Sequence, residues 1–356
     1  MPPRRSADAP SGQVVIAIDP HKASWTAVAV DARLRPLDAL RVPVSRAGYR
    51  DLLRFARRWP EAIWAIEGAG GLGAPLTSRL AADGISPTDV PAKLARRVRL
   101  LSTGHGRKSD EADALSVGIA AHTATRLHTA QIDEAVAALR TLTEHRDDLV
   151  RTRTQTVNRL HALMTKLVPA GLPRKLTADT AAAALRGIRP KASLARTLRG
   201  LATDLVAEIR RLDRRITTVT GQITAAVAES STTLTELHGI GDLLAAKILT
   251  RTAGVGRFRS EAAFASYCGV APLEVSSGDV KRHRLSRAGD RQLNSALHVM
   301  AITQIRHPTP GQAYYQRKRA EGKGHKEALR CLKRRLADVV YRTMLRDRDT
   351  SLIAPA

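Results

Sequence analysis

Val14-Val15-Ile16-Ala17-Ile18-Asp19 is a largely β-branched run that stops on a carboxylate, and the fold class rests on it and its neighbours. Trp25 to Asp31 (WTAVAVD) is a second run of the same kind, separated from the first by Pro20-His21-Lys22-Ala23-Ser24. Two such runs across a short turn predict a hairpin. A third strand is expected over 37–44, then a helix over 46–59 in which Leu52, Leu53, Phe55 and Ala56 have helical spacing. Ala62-Ile63-Trp64-Ala65-Ile66-Glu67 is a continuous apolar strand that again ends on an acid, and the turn Gly68-Ala69-Gly70-Gly71 comes next. A helix over about 72–82, an extended piece near 88–91 and a loop leading to Asp110 complete this part.

Three strands, a helix, a fourth strand and then helices form the order of a ribonuclease-H-like α/β fold. Its first and fourth strands pair in the middle of the sheet, so acids at their ends become neighbours. Asp19 and Glu67 stand at those ends, and a carboxylate there is costly unless it is paired or bound to metal. In Arg107-Lys108-Ser109-Asp110-Glu111-Ala112-Asp113-Ala114, two aspartates three residues apart open a helix and share one of its faces. The helix continues small and apolar, and Lys108 adds a cation beside the acids. Four converging carboxylates repel one another, which makes a divalent cation their natural partner. Two ions roughly 4 Å apart would make a phosphodiester-cleaving centre. His21 and Lys22 read as a solvated hairpin tip.

Of 356 residues, 58 are Lys or Arg against 33 Asp or Glu, a net charge of +25. Such an excess suits a polyanion, because each neutralised phosphate releases condensed counterions. Nucleic acid is the expected partner. A membrane is not expected, since no run of roughly 18 apolar residues and no lipidation signature is present. MPPRRSADAPSGQ, residues 1–13, has no apolar core for export and reads as a disordered basic tail. Cys268 and Cys331 lie far apart and the 11 histidines lack ligand spacing, so neither a disulfide framework nor a zinc site is expected. A reducing cytoplasm suits this composition.

Two long helices come next. Apolar residues recur at Val136, Leu139, Leu142, Leu149, Val157, Leu160, Leu163 and Leu167, and again from Leu194 through Leu198, Leu201, Leu205, Ile209, Leu212, Ile216, Val219 and Ile223. Steps of three and four sustained this long predict a coiled-coil helical hairpin that associates with another copy. Pro169, Gly171, Pro173 and Pro190 interrupt it around a short helical segment near 181–185. The intervening arginines read either as a solvated flank or as a track for nucleic acid.

Beyond 231 the chain is expected to be mostly helical. Gly239-Ile240-Gly241 has the form of a helix-hairpin-helix turn whose backbone N–H groups at a helix start offer a phosphate site without base specificity, with a helix cap as the alternative. Ser276 and Ser277 precede Gly278 and the basic residues Lys281, Arg282, Arg284, Arg287 and Arg291. A serine hydroxyl attacking phosphorus needs such cations and a base or metal to take its proton. A helix over 291–306 and a basic helix pair over 314–348 close the chain.

Asp-Pro-His-Lys, Ile-Glu-Gly, Lys-Ser-Asp-Glu-Ala-Asp-Ala, His-Gly-Ile-Gly, Tyr-Cys-Gly-Val-Ala-Pro, Ser-Ser-Gly and Leu-Ser-Arg-Ala-Gly-Asp together resemble the DEDD transposases of the insertion sequence 110 family, from about Val14 to Met344. The resemblance implies a RuvC-like domain over 14–128, a coiled-coil linker over 129–230, a carboxy-terminal transposase domain over 231–348 and a tail over 349–356. It also implies a Mg2+-binding tetrad of Asp19, Glu67, Asp110 and Asp113 and a nucleophile at Ser277, with Ser276 as the alternative. In that family the serine forms a covalent phosphoserine link to DNA, subunits assemble as tetramers, and an element-encoded guide RNA pairs with target and donor DNA. Asp279, after Gly278, departs from the pattern. The resemblance thus implies a DNA transposase acting with DNA, guide RNA and further copies of itself, at least a homodimer, in the bacterial cytoplasm at the nucleoid. A Mg2+-dependent nuclease of Holliday-junction-resolvase type, without covalent chemistry, is the enzymatic rival. A degraded transposase kept for binding is the non-enzymatic one.

Overall fold

A computed structural model describes residues 13–103, 109–125, 127–130, 133–168, 176–277, 280–284, 286 and 289–353; for 102, 103, 276, 277, 280–283 and 351–353 it describes the backbone alone. The chain divides into two compact units, Met1–Asp133 and Glu134–Ala356. Residues 1–12 of the expected basic tail lie outside the described residues. Among the described residues no helix is long and apolar enough to cross a membrane.

The first unit runs β1 (Val15–Pro20), β2 (Ser24–Val30), β3 (Pro36–Pro43), α1 (Arg46–Ala56), β4 (Ile63–Glu67), α2 (Ala74–Ala82), β5 (Thr88–Val90), α3 (Ala92–Thr103), α4 (Asp110–Thr123) and β6 (His128–Thr129). The sheet order is β3-β2-β1-β4-β5-β6. β1 pairs antiparallel with β2 and parallel with β4, so the strands carrying Asp19 and Glu67 are central neighbours, as expected of a ribonuclease-H-like sheet. Two elements correct the sequence reading. Residues 92–103 form α3 in place of the expected loop, and β6 adds a short sixth strand. The spacing in Ala92–Thr103 is helical, but basic residues interleaved with the apolar ones disguise an amphipathic face that only packing against the rest of the unit reveals.

The sheet's faces are divided by strand alternation. Ile16, Ile18, Trp64 and Ile66 bury against Leu52, Leu76 and Leu80 of α1 and α2. Val15, Ala17, Val28, Val30 and Ala65 bury against Ala114, Val117 and Ala120 of α4. The second face is lined with small residues, and α4 comes very close to it. A Cβ at Gly118 would stand 2.4 Å from Val30 Cγ2 and 3.1 Å from Ala17 Cβ.

The second unit contains α5 (Glu134–Leu167), α6 (Ala178–Gly187), α7 (Ser193–Glu229), α8 (Asp242–Thr252), α9 (Glu261–Tyr267), β7 (Leu273–Ser277), β8 (Val280–Arg284), α10 (Arg291–Arg306), α11 (Pro310–Ala320) and α12 (His325–Ile353). α5 and α7 run antiparallel: Arg153 pairs with Asp213, and Arg146 Nε donates to Thr220 Oγ1 at 2.9 Å. Toward one end, Leu160, Met164, Val206 and Ile209 enclose α6 through Ala181 and Leu185. Toward the other, Leu139, Leu149, Leu212 and Ile223 share a core with Phe264, Leu297, Met300, Leu332 and Leu336. The feet of the long helices are thereby anchored in the helices that come after them. The β7–β8 hairpin is absent from the sequence reading, because its outer strand, Val280 to Arg284, is basic in place of apolar.

Gly118→Ala forces a methyl group into the α4–sheet contact and should destabilise the first unit by about 1–3 kcal/mol, as overpacked cores do. Urea unfolding followed by circular dichroism measures this; an unchanged midpoint would show that α4 is free to lift.

Candidate catalytic site

Asp19 is the last residue but one of β1, and Glu67 ends β4 one position beyond the Ile18–Ile66 pair. Both lie two residues beyond alanines of the α4 face, Ala17 and Ala65, so alternation sets both on that face. The loop after β4 is fixed by Asp89, whose Oδ1 accepts from the Ala69 N–H at 2.8 Å. α4 begins where Ser109 Oγ accepts the Ala112 N–H at 3.1 Å, and its first turn carries Asp110, Glu111 and Asp113. Acids are favoured there by the partial positive charge of the helix start.

Burial pushes the half-buried Glu67 carboxyl up from 4.5 to about 7, with the negative charges of Asp19 and Asp113 adding to the effect and Arg99 and His21 offsetting part of it. Glu67 is therefore within electrostatic reach of two of the other three expected acids. The fourth, Asp110, is held by cations: Arg41 Nη1 lies 2.9 Å from its Oδ2. His21 bridges the two parts, with Nδ1 3.6 Å from Asp19 Oδ2 and Nε2 3.8 Å from Asp110 Oδ1. Arg99 Nη1 lies 2.5 Å from Asp113 Oδ1.

As these side chains lie, no three His, Cys, Asp or Glu groups among the described residues are close enough to hold a metal ion. Arg41 and Arg99 place positive charge beside Asp110 and Asp113, and His21 lies between Asp19 and Asp110. The donor set still fits a hard divalent cation, since it consists of carboxylate oxygens, and a cation there would relieve the crowding that raises Glu67. Arg99 and Arg41 each engage one oxygen of Asp113 and Asp110. These three basic residues escape sequence reasoning. His21 reads as solvated, yet a tight turn after Asp19 necessarily curls back to the strand end. Arg99 lies in a stretch whose charge hides its helix.

In the second unit the candidate serines sit on β7, where Ser276 pairs with Lys281 and Ser277 with Val280. The side chains of Ser276, Ser277, Lys281 and Arg282 lie outside the described residues, as do Lys108, Gly278, Asp279 and Arg287 altogether. The hairpin's feet are clamped by glycine. Gly269, at φ +68°, lies against Gly289, where a Cβ would come within 2.2 Å of the Gly269 nitrogen. The Asp290 N–H donates to the Tyr267 carbonyl at 2.7 Å, and Asp290 caps α10 just before the exposed Arg291. Arg284, at the end of β8, is exposed as well. Gly239, at φ +91°, packs against the backbone of α10 at Met300, and Gly241 caps α8. Asp242 places a carboxylate in that first turn, where Thr224 Oγ1 donates to it at 2.7 Å.

A ribonuclease-H-like sheet with acids at the ends of paired central strands, in a chain of net charge +25, suits the class of proteins that act on nucleic acids. Sequence relatives narrow that class. The DEDD transposase family of insertion sequence IS110, described as "Transposase", matches residues 16–169, and "Transposase IS116/IS110/IS902 family" matches residues 231–316. Relatives include the insertion element IS116 uncharacterized 44.8 kDa protein of Streptomyces clavuligerus, 29% identical over 96% of this chain and 97% of that one. The insertion element IS900 uncharacterized 42 kDa protein of Mycobacterium paratuberculosis is 28% identical over 81% and 83%. Among solved structures, T. thermophilus RuvC in complex with a Holliday junction matches 32% of this chain and 94% of that one, with 17% identity and a TM-score of 0.25. The chain belongs to the IS110 family of insertion-sequence transposases, and is therefore a DNA-processing enzyme.

The crowded acids imply a cost to stability that Glu67→Gln should remove. At pH 8 without divalent ions the variant should be more stable by about 1 kcal/mol, the half-buried position reducing the full linkage value. The sign follows from the raised value: the folded state holds the Glu67 proton more tightly, so wild-type stability falls as pH rises from 4.5 through about 7. Glu67→Gln should lack this portion of the pH profile. A variant less stable at pH 8 would contradict the mutual repulsion.

Proposed function

We infer that this transposase cuts and rejoins DNA through Ser277 as nucleophile, with Asp19, Glu67, Asp110 and Asp113 holding magnesium, under the guidance of an RNA encoded by its element. The observation that carries the reading is the placement of Asp19 and Glu67 side by side on central strands, beneath a helix whose first turn brings Asp110 and Asp113. Family membership supports the same assignment.

Magnesium, when bound, would neutralise these carboxylates and polarise a phosphate oxygen. The chain's own residues supply the rest. Asp19 and Glu67 are positioned by two buried central strands, which keeps the site rigid, and Arg41 and Arg99 are close enough to exchange a carboxylate for a phosphate oxygen. The attack of Ser277 Oγ forms a P–O bond to the enzyme and breaks the P–O bond to one deoxyribose, whose oxygen leaves with a proton. A hydroxyl on the other DNA end reverses the step, releases the serine and restores a phosphodiester. Ser276 is the alternative nucleophile.

Guide RNA would supply the base specificity, while the net charge of +25 supplies phosphate binding to both nucleic acids. The exposed Leu194 and Leu201 on α7, members of the long apolar seam, support self-association of the α5–α7 pair into a homodimer or homotetramer.

The test mixes the full-length protein, the transcript flanking its element, Mg2+ and matching DNA, and resolves covalent adducts on a denaturing gel. Wild type and Ser276→Ala should form an adduct, whereas Ser277→Ala and Asp19→Ala should lose it. DNA cut without an adduct, and stopped only by Asp19→Ala, would establish a hydrolytic nuclease of the resolvase type instead. In a separate titration, affinity for DNA should fall steeply with salt, the slope counting the phosphates neutralised. Salt-independent binding contradicts the phosphate account.

A further inference from the structure

At the foot of the β7–β8 hairpin lies a cavity of about 300 Å³ bounded by the 269–272 segment, Arg284 of β8, Tyr314 of α11 and the first half of α12. Among the described residues its wall holds six Lys or Arg side chains and a single carboxylate, Glu327, which already pairs with Lys323 at 3.6 Å. Two more of the six, Arg334 and Arg335, share Asp338. That leaves Arg284, Arg330 and Lys333 without a carboxylate among the described residues.

Lys333 is the unusual member. It is only 7% exposed, and burial holds its ammonium below the usual lysine range. Among the described residues its one hydrogen-bond acceptor is neutral: Asn294 Oδ1, at 2.6 Å. The orientation of that amide is fixed, because Asn294 Nδ2 donates to the carbonyls of Cys268 and Gly269 at 3.1 and 3.0 Å. An ammonium carries three donors, so two remain for something else. A buried cation with a neutral partner is costly unless an anion completes it. His298 feels the same charge: burial and Lys333 together hold its imidazole below the usual range.

We propose that this cavity, floored by Lys333 and walled by Arg284 and Arg330, is a built site for a phosphodiester of the DNA strand on which the hairpin acts. The shape of the ligand follows from the donors: a tetrahedral anion whose oxygens accept from one buried ammonium and two exposed guanidiniums. Ser277 is four residues along β7 from Leu273, the partner of Arg284, or ~13 Å along the strand. Successive phosphates of one strand stand farther apart than the ~3.4 Å axial rise, so the bound phosphate lies within about four nucleotides of the scissile one. The site thus fixes the register of the DNA relative to the hairpin. This DNA assignment rests on the transposase reading; the anion site itself does not.

Two measurements on the full-length protein separate those claims. The first follows thermal unfolding in millimolar pyrophosphate against sodium chloride of equal ionic strength. Wild type should gain a few degrees, and Lys333→Met and Arg330→Gln should gain less than half of that. Without ligand, Lys333→Met should melt no lower than wild type, since a buried charge has been removed. A wild type that gains nothing beyond the chloride control, or a Lys333→Met protein that melts lower and still responds to pyrophosphate, overturns the site. The second measures binding of labelled DNA duplex and of the element's RNA across a salt series. Lys333→Met should weaken DNA binding roughly 10–100-fold and lower the salt slope by about one. Protection by pyrophosphate with unaltered DNA binding, or a loss confined to RNA, would leave an anion site and overturn its assignment to DNA.

Discussion

The close approach of α4 to the sheet governs the arrangement of the first unit. Only a residue without a side chain fits where Gly118 meets Val30 and Ala17, and the alanines at positions 17 and 65 lower the sheet surface on the same face. Because α4 lies so near, its first turn can reach the end of the sheet, where β1 and β4 bring Asp19 and Glu67. The acidic cluster is a consequence of small residues that carry no charge at all.

Clustering acids costs stability, and the cost is unevenly distributed. Glu67, half-buried and facing Asp19 and Asp113, is left with a carboxyl that resists ionisation. Asp110 and Asp113 pair instead with Arg41 and Arg99. These arginines come from β3 and α3, elements far apart in the chain, so the fold itself brings positive charge to the acidic centre. Such an arrangement sets groups able to bind phosphate beside the acids.

The second unit follows a different logic. Its long helices bury an apolar seam and anchor their feet in the helical core, and its surface is where the basic charge accumulates. In one place the charge is drawn inward. Lys333 sits under the hairpin that presents the serines, held by an asparagine that is itself locked by two carbonyls. The Gly269–Gly289 contact fastens the hairpin's feet beside those same carbonyls. The serines and the buried cation are thereby referred to one rigid point.

Much of this is legible in the chain itself, because the signals are local. The strand order around Asp19 and Glu67 follows from alternating apolar runs and turns, the Asp110–Asp113 face from helical spacing, and the α5 and α7 seams from steps of three and four. Sequence thus specifies the principal strands and long helices and the acids that end them, together with the family, but not α3, β6 or the β7–β8 hairpin. Tertiary contacts alone settle which charges meet. His21 folds back between Asp19 and Asp110, Arg99 reaches Asp113 from a helix that its own charge disguises, and Lys333 turns inward from a helix whose sequence is basic throughout. Charge pairing acts through space between residues far apart in the chain, and no periodicity along the sequence encodes it.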